Sequence, residues 1–265
     1  MPTATTDEAG FARAVAWERR AHQQIARRVE PLPYGFASFD ETLPLVYFAN
    51  LLWVTAEPGE VCAAAIMADA DRLLASFEHR WVVVDREPLW RTLGEEFAAA
   101  GWGVQTHLFM THRRAPDRTA PLGRVREVSH EDLLAAEMRY MESQPWCTSA
   151  EPARQVVEHH LRIGSVLGER CFAIHDGGDV CAYAKLRARD GVVQVEDVVV
   201  MEEHRGAGLG RLITSAALSA GLELEPELTF IVADDEDWPK DLYAKLGFEP
   251  AGRMRIFHRL PLALT

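Results

Sequence analysis

Two adjacent carboxylates, Glu196 and Asp197, interrupt the apolar run 192–201, just upstream of the loop Arg205-Gly206-Ala207-Gly208-Leu209-Gly210-Arg211. Glycines at such a junction let the main chain come close to a ligand. A helix beginning there leaves its first N–H groups without partners. Those donors and the positive end of the helix dipole form an anion site suited to phosphate. Arg205 and Arg211 flank the glycines in an otherwise acidic chain, which suits a polyphosphate. One short segment therefore joins a cradle for a phosphate-bearing cofactor to a possible proton acceptor. The plainer alternative is a glycine-rich strand–helix turn needed only for packing.

The elements that must position these groups can be read around them. The run 192–201 reads as a strand. Leu209, Leu212, Ile213, Ala216, Ala217 and Ala220 then repeat at the spacing of one buried helix face, and Gly221 is a natural stop. A second strand is predicted at 228–233. It is followed by the acidic run Asp234-Asp235-Glu236-Asp237, then by Trp238-Pro239 and Leu242-Tyr243-Ala244-Lys245-Leu246-Gly247-Phe248. Pro239 suits the first turn of a helix and Gly247 its end.

Arg205-Gly206-Ala207-Gly208-Leu209-Gly210 resembles the acyl-CoA signature of the GNAT N-acetyltransferase superfamily, and Leu-Tyr-x-x-Leu-Gly-Phe resembles that family's last helix and the turn after it. The resemblance covers roughly 124–260, with the motifs confined to 195–248. It implies an α/β (α+β) fold, with a mixed, mostly antiparallel central sheet flanked by helices. It also implies acetyl-CoA as cosubstrate. The main chain of Val198, Val199 and Val200 would pair with the pantetheine arm beside a β-bulge, while Arg205, Gly206, Ala207, Gly208, Leu209, Gly210 and Arg211 would hold the pyrophosphate. Tyr243 would be the general acid for the leaving thiolate.

Acetyl transfer to an aliphatic amine needs a base, because the amine is protonated near neutral pH. Glu196 is the first candidate, since the strand resembles that of polyamine acetyltransferases, where a glutamate at this position acts through water. Asp197 is the competitor, since adjacent strand residues face opposite sides. Two positions depart from the family pattern. Glu236 replaces a common Asn, and Pro239 replaces a small residue. The acidic run 234–237 reads mainly as a solvated, helix-capping loop.

Around the motifs, 124–128 reads as a short strand, and helices are predicted at 130–143 and 151–167. Strands follow at 171–175 and 180–186, and a final strand at 254–260. Trp146, in the connection between those two helices, is either a pocket wall or a core anchor. In the first half, 9–29 reads as helix, 34–39 and 45–54 as strands, 58–76 as helix, 80–85 as strand, 88–100 as helix and 104–112 as strand. Ala100-Gly101-Trp102-Gly103 echoes Leu246-Gly247-Phe248-Glu249. The division expected is a degenerate, partial GNAT-like or α/β cap domain at 1–122 and a catalytic domain at 123–265, with the linker at 116–123. The resemblance extends to tandem GNAT enzymes. The first half has no Arg-x-x-Gly-x-Gly loop, so no acyl-CoA site is expected there.

Composition limits the rest. A formal charge of −12 argues against nucleic acid as a partner. Only Lys185, Lys240 and Lys245 are lysines among 28 basic residues, the usage of a GC-rich genome. Met1-Pro2-Thr3 begins no signal peptide, and no run suits a membrane span, so a cytoplasmic protein is expected. Four scattered cysteines lack CxxC spacing, and adjacent His159 and His160 make no i, i+4 pair, so no metal is expected. The reading is an N-acetyltransferase acting on a primary amine of a small molecule, as monomer or homodimer. A non-catalytic acyl-CoA-binding module and a protein or peptide N-acetyltransferase are the alternatives.

Overall fold

Short runs of β-branched and aromatic residues alternate with amphipathic stretches along the chain. In a computed structural model they form one continuous eleven-stranded sheet; the structure describes residues 7–261. The first half is α1 (Glu8–Ile25), β1 (Arg28–Leu32), β2 (Gly35–Phe39), β3 (Leu51–Val54), α2 (Ala63–Leu73), β4 (Arg80–Val84), α3 (Glu87–Ala99) and β5 (Gly103–His112). Next come β6 (Val125–Val128) and α4 (His130–Glu142). The same succession then returns as α5 (Ala150–Leu167), β7 (Arg170–Asp176), β8 (Asp179–Arg189), β9 (Val192–Val200), α6 (Leu209–Leu222), β10 (Leu228–Asp234), α7 (Pro239–Lys245) and β11 (Phe248–Arg259).

The sheet runs β1-β2-β3-β4-β11-β5-β10-β9-β8-β7-β6. Only β3–β4 and β9–β10 are parallel, so the sheet is mixed and mostly antiparallel, as expected. The two parallel pairs occupy equivalent places in the repeat. At the middle the repeats exchange strands: β11 lies against β4, with Ile256 opposite Val83, and β5 lies against β10, with Met110 opposite Ile231. β5 and β11 pair with each other from Phe248–His112 to His258–Gly103. The echo between 100–103 and 246–249 marks the entries to these two exchanged strands. One core cluster spans both repeats, joining Ala14, Trp17 and Trp53 to Phe109, Ile163 and Phe230.

Four local expectations shift, among them the helix read at 58–76, which spans only Ala63–Leu73. The first helix stops at Ile25, and β1 takes up Arg28–Leu32. Pro31 cannot continue a helix and is tolerated because β1 is an edge strand. The stretch 45–54 divides into a 3₁₀ turn at Tyr47–Ala49 and the four residues of β3. The last strand begins at Phe248 because a register shift between Pro250 and Gly252 accommodates the proline inside the sheet. No helix among the described residues is long and apolar enough to cross a membrane.

Gly247 pins the exchange. Its carbonyl accepts the Arg113 N–H at 2.9 Å, tying the end of β5 to the start of β11. Its φ is +97°, and a Cβ there would lie 1.9 Å from the Arg114 carbonyl oxygen. Gly247→Ala is therefore expected to lower unfolding free energy by at least ~2 kcal/mol, read from the denaturant midpoint.

Candidate active site

β9 carries the site because its side chains change faces part-way along. Val193 and Val195 pack toward α6, while Gln194 reaches across to Glu18 of α1. At Asp197 the backbone turns to φ +47°, unusual for a residue other than glycine. There Asp197 and Val198 together fill the register between the Glu196–Lys185 and Val199–Tyr183 pairs with β8. This is a β-bulge. It returns Val198 and Val200 to the α6 side. Glu196 and Asp197 both line the cavity on the other side. The expectation that adjacent carboxylates must point to opposite sides fails here, because alternation requires a regular strand.

The bulge also opens the sheet. β9 and β10 pair in parallel only as far as Val195 opposite Ile231. Beyond that point Val199 and Val200 keep β8 on one side, opposite Tyr183 and Ala182, and have no strand pairing toward β10. The loop that follows is exposed at Arg205, Gly206, Ala207 and Gly208. Gly206 and Gly208 have φ of +80° and +76°, and a Cβ on either would meet nothing within 4 Å. Leu209 starts α6, whose first turn receives no side-chain cap. Open space, positive-φ glycines and uncapped donors at a fourteen-residue helix fit a phosphate group. Arg205 is exposed beside the loop, with Nε 3.4 Å from the Val200 carbonyl. Arg211 instead makes a bidentate pair with Asp117 of the inter-repeat connection, at 2.6 and 3.2 Å.

Tyr243 is buried in the cluster that also holds Leu209, Ile213 and Phe248, with Val198 and Val200 packed against it. Burial, with the Glu196 charge nearby, raises its phenol pKa, so it keeps its proton across the physiological range. It does not line the cavity reached by Glu196. The acidic run 234–237 does not line it either. Asp235 pairs with Arg253 at 2.7 Å, while Asp234 and Asp237 accept main-chain N–H groups of their own turn.

The cavity measures about 720 Å³ and lies between the repeats. Trp53 and Trp81 come from the first half, and Trp146 and Val156 from the second, with Glu196 and Asp197 on the β9 side. Two charge systems meet there. In one, the Lys185 ammonium is fully buried, 2.6 Å from Glu137, 3.0 Å from Asp197 and 3.9 Å from Glu169. His160 Nδ1 lies 2.8 Å from Glu137 and 3.3 Å from Asp197. Burial opposes ionisation of Asp197, but His160, Lys185 and Arg187 outweigh it and hold the carboxyl below its usual range. Glu137, His160 and Asp197 converge at a spacing that could hold a metal ion, yet the Lys185 ammonium already contacts two of them.

In the other system the Gln194 amide donates to both Glu18, at 2.9 Å, and Glu196. Burial raises the Glu196 pKa; Arg187 opposes the shift and Asp197 adds to it. Burial, with Glu196 nearby, pushes Glu18 up to about 8. His159 is 3 % exposed, and neither ring nitrogen has a hydrogen-bond partner.

Sequence reasoning missed Glu18, His159, His160, Lys185 and the aromatic wall of the first half. Glu18 left one signal: with His22 it interrupts the buried stripe Ala14, Val15, Trp17 and Ala21 of α1. The others left none, since their meeting depends on how the repeats join.

Residues 168–250 match the model of the acetyltransferase (GNAT) domain. No curated protein sequence matches the chain significantly. Among solved structures, the fold is similar to a functionally unknown conserved protein from Staphylococcus epidermidis. The TM-score is 0.68 at 15% identity, over 89% of this chain and 95% of that one. A GCN5-related N-acetyltransferase from Kribbella flavida aligns with TM-score 0.59 and 20% identity, over 93% and 94%. A tandem GNAT protein from the clavulanic acid biosynthesis pathway aligns with TM-score 0.52 and 20% identity, over 74% and 69%. These three likenesses are to the fold.

Proposed function

We propose, from the premise of a GNAT acetyltransferase domain over 168–250, that this protein is an acetyl-CoA-dependent N-acetyltransferase acting on a primary amine of a small molecule. The observation that carries this reading is the bulge at Asp197. It opens β9 from β10 next to the glycine loop and sets Asp197 beside Glu196 on the cavity side. Residues 123–265 would be the catalytic part. Residues 1–122 would be a degenerate GNAT-like unit, which supplies a cavity wall and carries no second cofactor loop.

Acetyl-CoA supplies an activated acyl carbon. The uncapped first turn of α6, the Gly206–Gly208 backbone and Arg205 would hold its phosphates, and the free edge of Val198, Val199 and Val200 its pantetheine arm. Glu196, directly or through a water, takes the proton from the substrate ammonium. The freed nitrogen bonds to the acyl carbon and the carbon–sulfur bond breaks. The Tyr243 hydroxyl gives its proton to the departing sulfur, and the second proton, shed by the acylated nitrogen, restores that hydroxyl through solvent. Three features support these roles: the raised Glu196 pKa brings it nearer the operating pH, Tyr243 stays protonated, and Asp197 is held ionised by its cations and so is a poor base. A main-chain N–H at the bulge would donate to the thioester oxygen.

The test is calorimetric titration of acetyl-CoA into wild type and Arg205→Glu, followed by an amine screen. The expected result is micromolar-range binding, about −8 kcal/mol, that the variant loses, and turnover of at least one primary amine. Tyr243→Phe is expected to lower kcat by about 10- to 100-fold with acetyl-CoA affinity retained. Failure of wild type to bind acetyl-CoA would end this reading. Binding without turnover of any small amine or peptide would favour a non-catalytic acyl-CoA-binding module.

A further inference from the structure

The large cavity between the repeats contains an uneven balance of charge. Its carboxylates are Glu18, Glu78, Glu196 and Asp197, and its fixed cation is Arg187. Arg187 donates to Glu169 at 2.6 Å, and Asp197 is paired with the Lys185 ammonium at 3.0 Å. Glu18 and Glu196 share a single neutral amide, Gln194, as their hydrogen-bond partner. Two carboxyl groups in an apolar enclosure, bridged only by an amide, are short of a cation. His22 and His159 do not supply it, because burial lowers the His22 pKa to about 4 and that of His159 well below its usual value.

The rest of the lining has a different character. Trp53 and Trp81 present aromatic surface, and Tyr47 lies 5.9 Å from Trp81, centroid to centroid. Phe48 meets His159 edge-on at 4.8 Å. The indole nitrogen of Trp81 and both ring nitrogens of His159 are buried without partners at this wall. Buried polar atoms are seldom left unsatisfied, so these side chains have hydrogen-bonding capacity to offer a water or a ligand in the cavity. The volume is within the range of sites for drug-sized molecules, roughly 300–1,000 Å³, and has room for more than one ring.

The geometry points to an acceptor that is a monocationic primary amine on an aromatic body, its ammonium seated between Glu18 of the first repeat and Glu196 of the second and its rings against the tryptophan wall. This rests on the acetyltransferase reading for turnover, but not for binding. A polyamine would leave the aromatic wall unused and bury further charges. Glu18 acts here as a positioning residue, holding the ammonium whose proton Glu196 removes.

The experiment is titration of wild type by intrinsic tryptophan fluorescence, without acetyl-CoA, using 2-phenylethylamine, tryptamine, 2-phenylethanol, spermidine and glucosamine. The two aromatic amines are expected to saturate. The neutral alcohol and both non-aromatic amines are expected to bind at least tenfold more weakly. In steady-state assays Glu18→Gln is expected to raise KM for the aromatic amine at least tenfold, with kcat within about threefold and KM for acetyl-CoA unchanged. The alcohol comparison uses only wild type, so it stands even if the variant misfolds. Equal binding of amine and alcohol would overturn the proposal. So would acetylation of spermidine or glucosamine without binding of either aromatic amine, an outcome that leaves the acetyltransferase reading intact. Saturable aromatic amine binding with no acetylation of any amine would support the ligand class and sink the enzymatic reading instead.

Discussion

Glu196→Gln is expected to lower kcat by about 10²- to 10³-fold, with acetyl-CoA affinity within about twofold of wild type. The substitution keeps the side-chain shape and the contact with Gln194 but removes the proton acceptor. The pH profile carries the sharper information. Burial raises the Glu196 pKa, so the ionised, basic form becomes populated only above the usual carboxylate range. In wild type, kcat should climb as pH rises through that pKa, and the climb should vanish in the variant. If the variant keeps both its rate and its rising limb, the base lies elsewhere. Asp197 is a weaker claimant, because Lys185 and His160 hold it ionised at far lower pH and so make it a feeble acceptor.

Lys185→Met should give the largest loss of stability. The ammonium is fully buried, with Glu137 at 2.6 Å and Asp197 at 3.0 Å. Burial alone would lower the Lys185 pKa, yet Asp197, Glu169 and Glu137 outweigh it and raise the pKa, so the group remains a cation at any working pH. Removing one partner of a buried ionic cluster strands the others without compensation, which costs about 3–5 kcal/mol. For a chain of this size that corresponds to a fall in Tm of roughly 10 °C. Adding Glu137→Gln to Lys185→Met should recover part of the loss, since one stranded carboxylate is then gone. A loss below ~1 kcal/mol for the single variant, by calorimetry at neutral pH, would show that the cluster relaxes by admitting water.

These two residues show where sequence was informative. Glu196 was legible because it stands in a strand leading into a glycine-and-arginine loop, a local pattern with a local physical cause. The α6 stripe from Leu209 to Ala220 was equally plain, as were the turns closed by Gly101 and Gly247. Lys185 was not legible. It sits in an apolar stretch of strand with no partner nearby in sequence, and its carboxylates come from α4, β9 and the turn before β7. Glu18 needed the docking of α1 against β9. The bulge at Asp197 was implied by resemblance, but its effect of turning Asp197 to the cavity side that Glu196 already faces follows from backbone geometry. Arg211, grouped with the loop by spacing, is held by Asp117. Charge and proximity along the chain do not say which partner wins. Pro31 and Pro250 concealed β1 and the start of β11, because a proline argues against a strand unless an edge or a bulge receives it.

The exchanged strands also bear on how the molecule is made. β4 is hydrogen-bonded on one side by β11, which a ribosome releases after every other strand of the sheet. The first repeat therefore cannot close its sheet when its own residues have emerged. It must wait, with the edges of β4 and β5 that face β11 open, until synthesis has passed both the glycine loop and α7. Contacts this distant in sequence are slow to form. A nascent chain stalled before Phe248 would expose two apolar edges, which is the state most open to aggregation and most in need of a chaperone. Joining the repeats by mutual completion yields a shared cavity, and it also makes the last strand synthesised the closure of the first half.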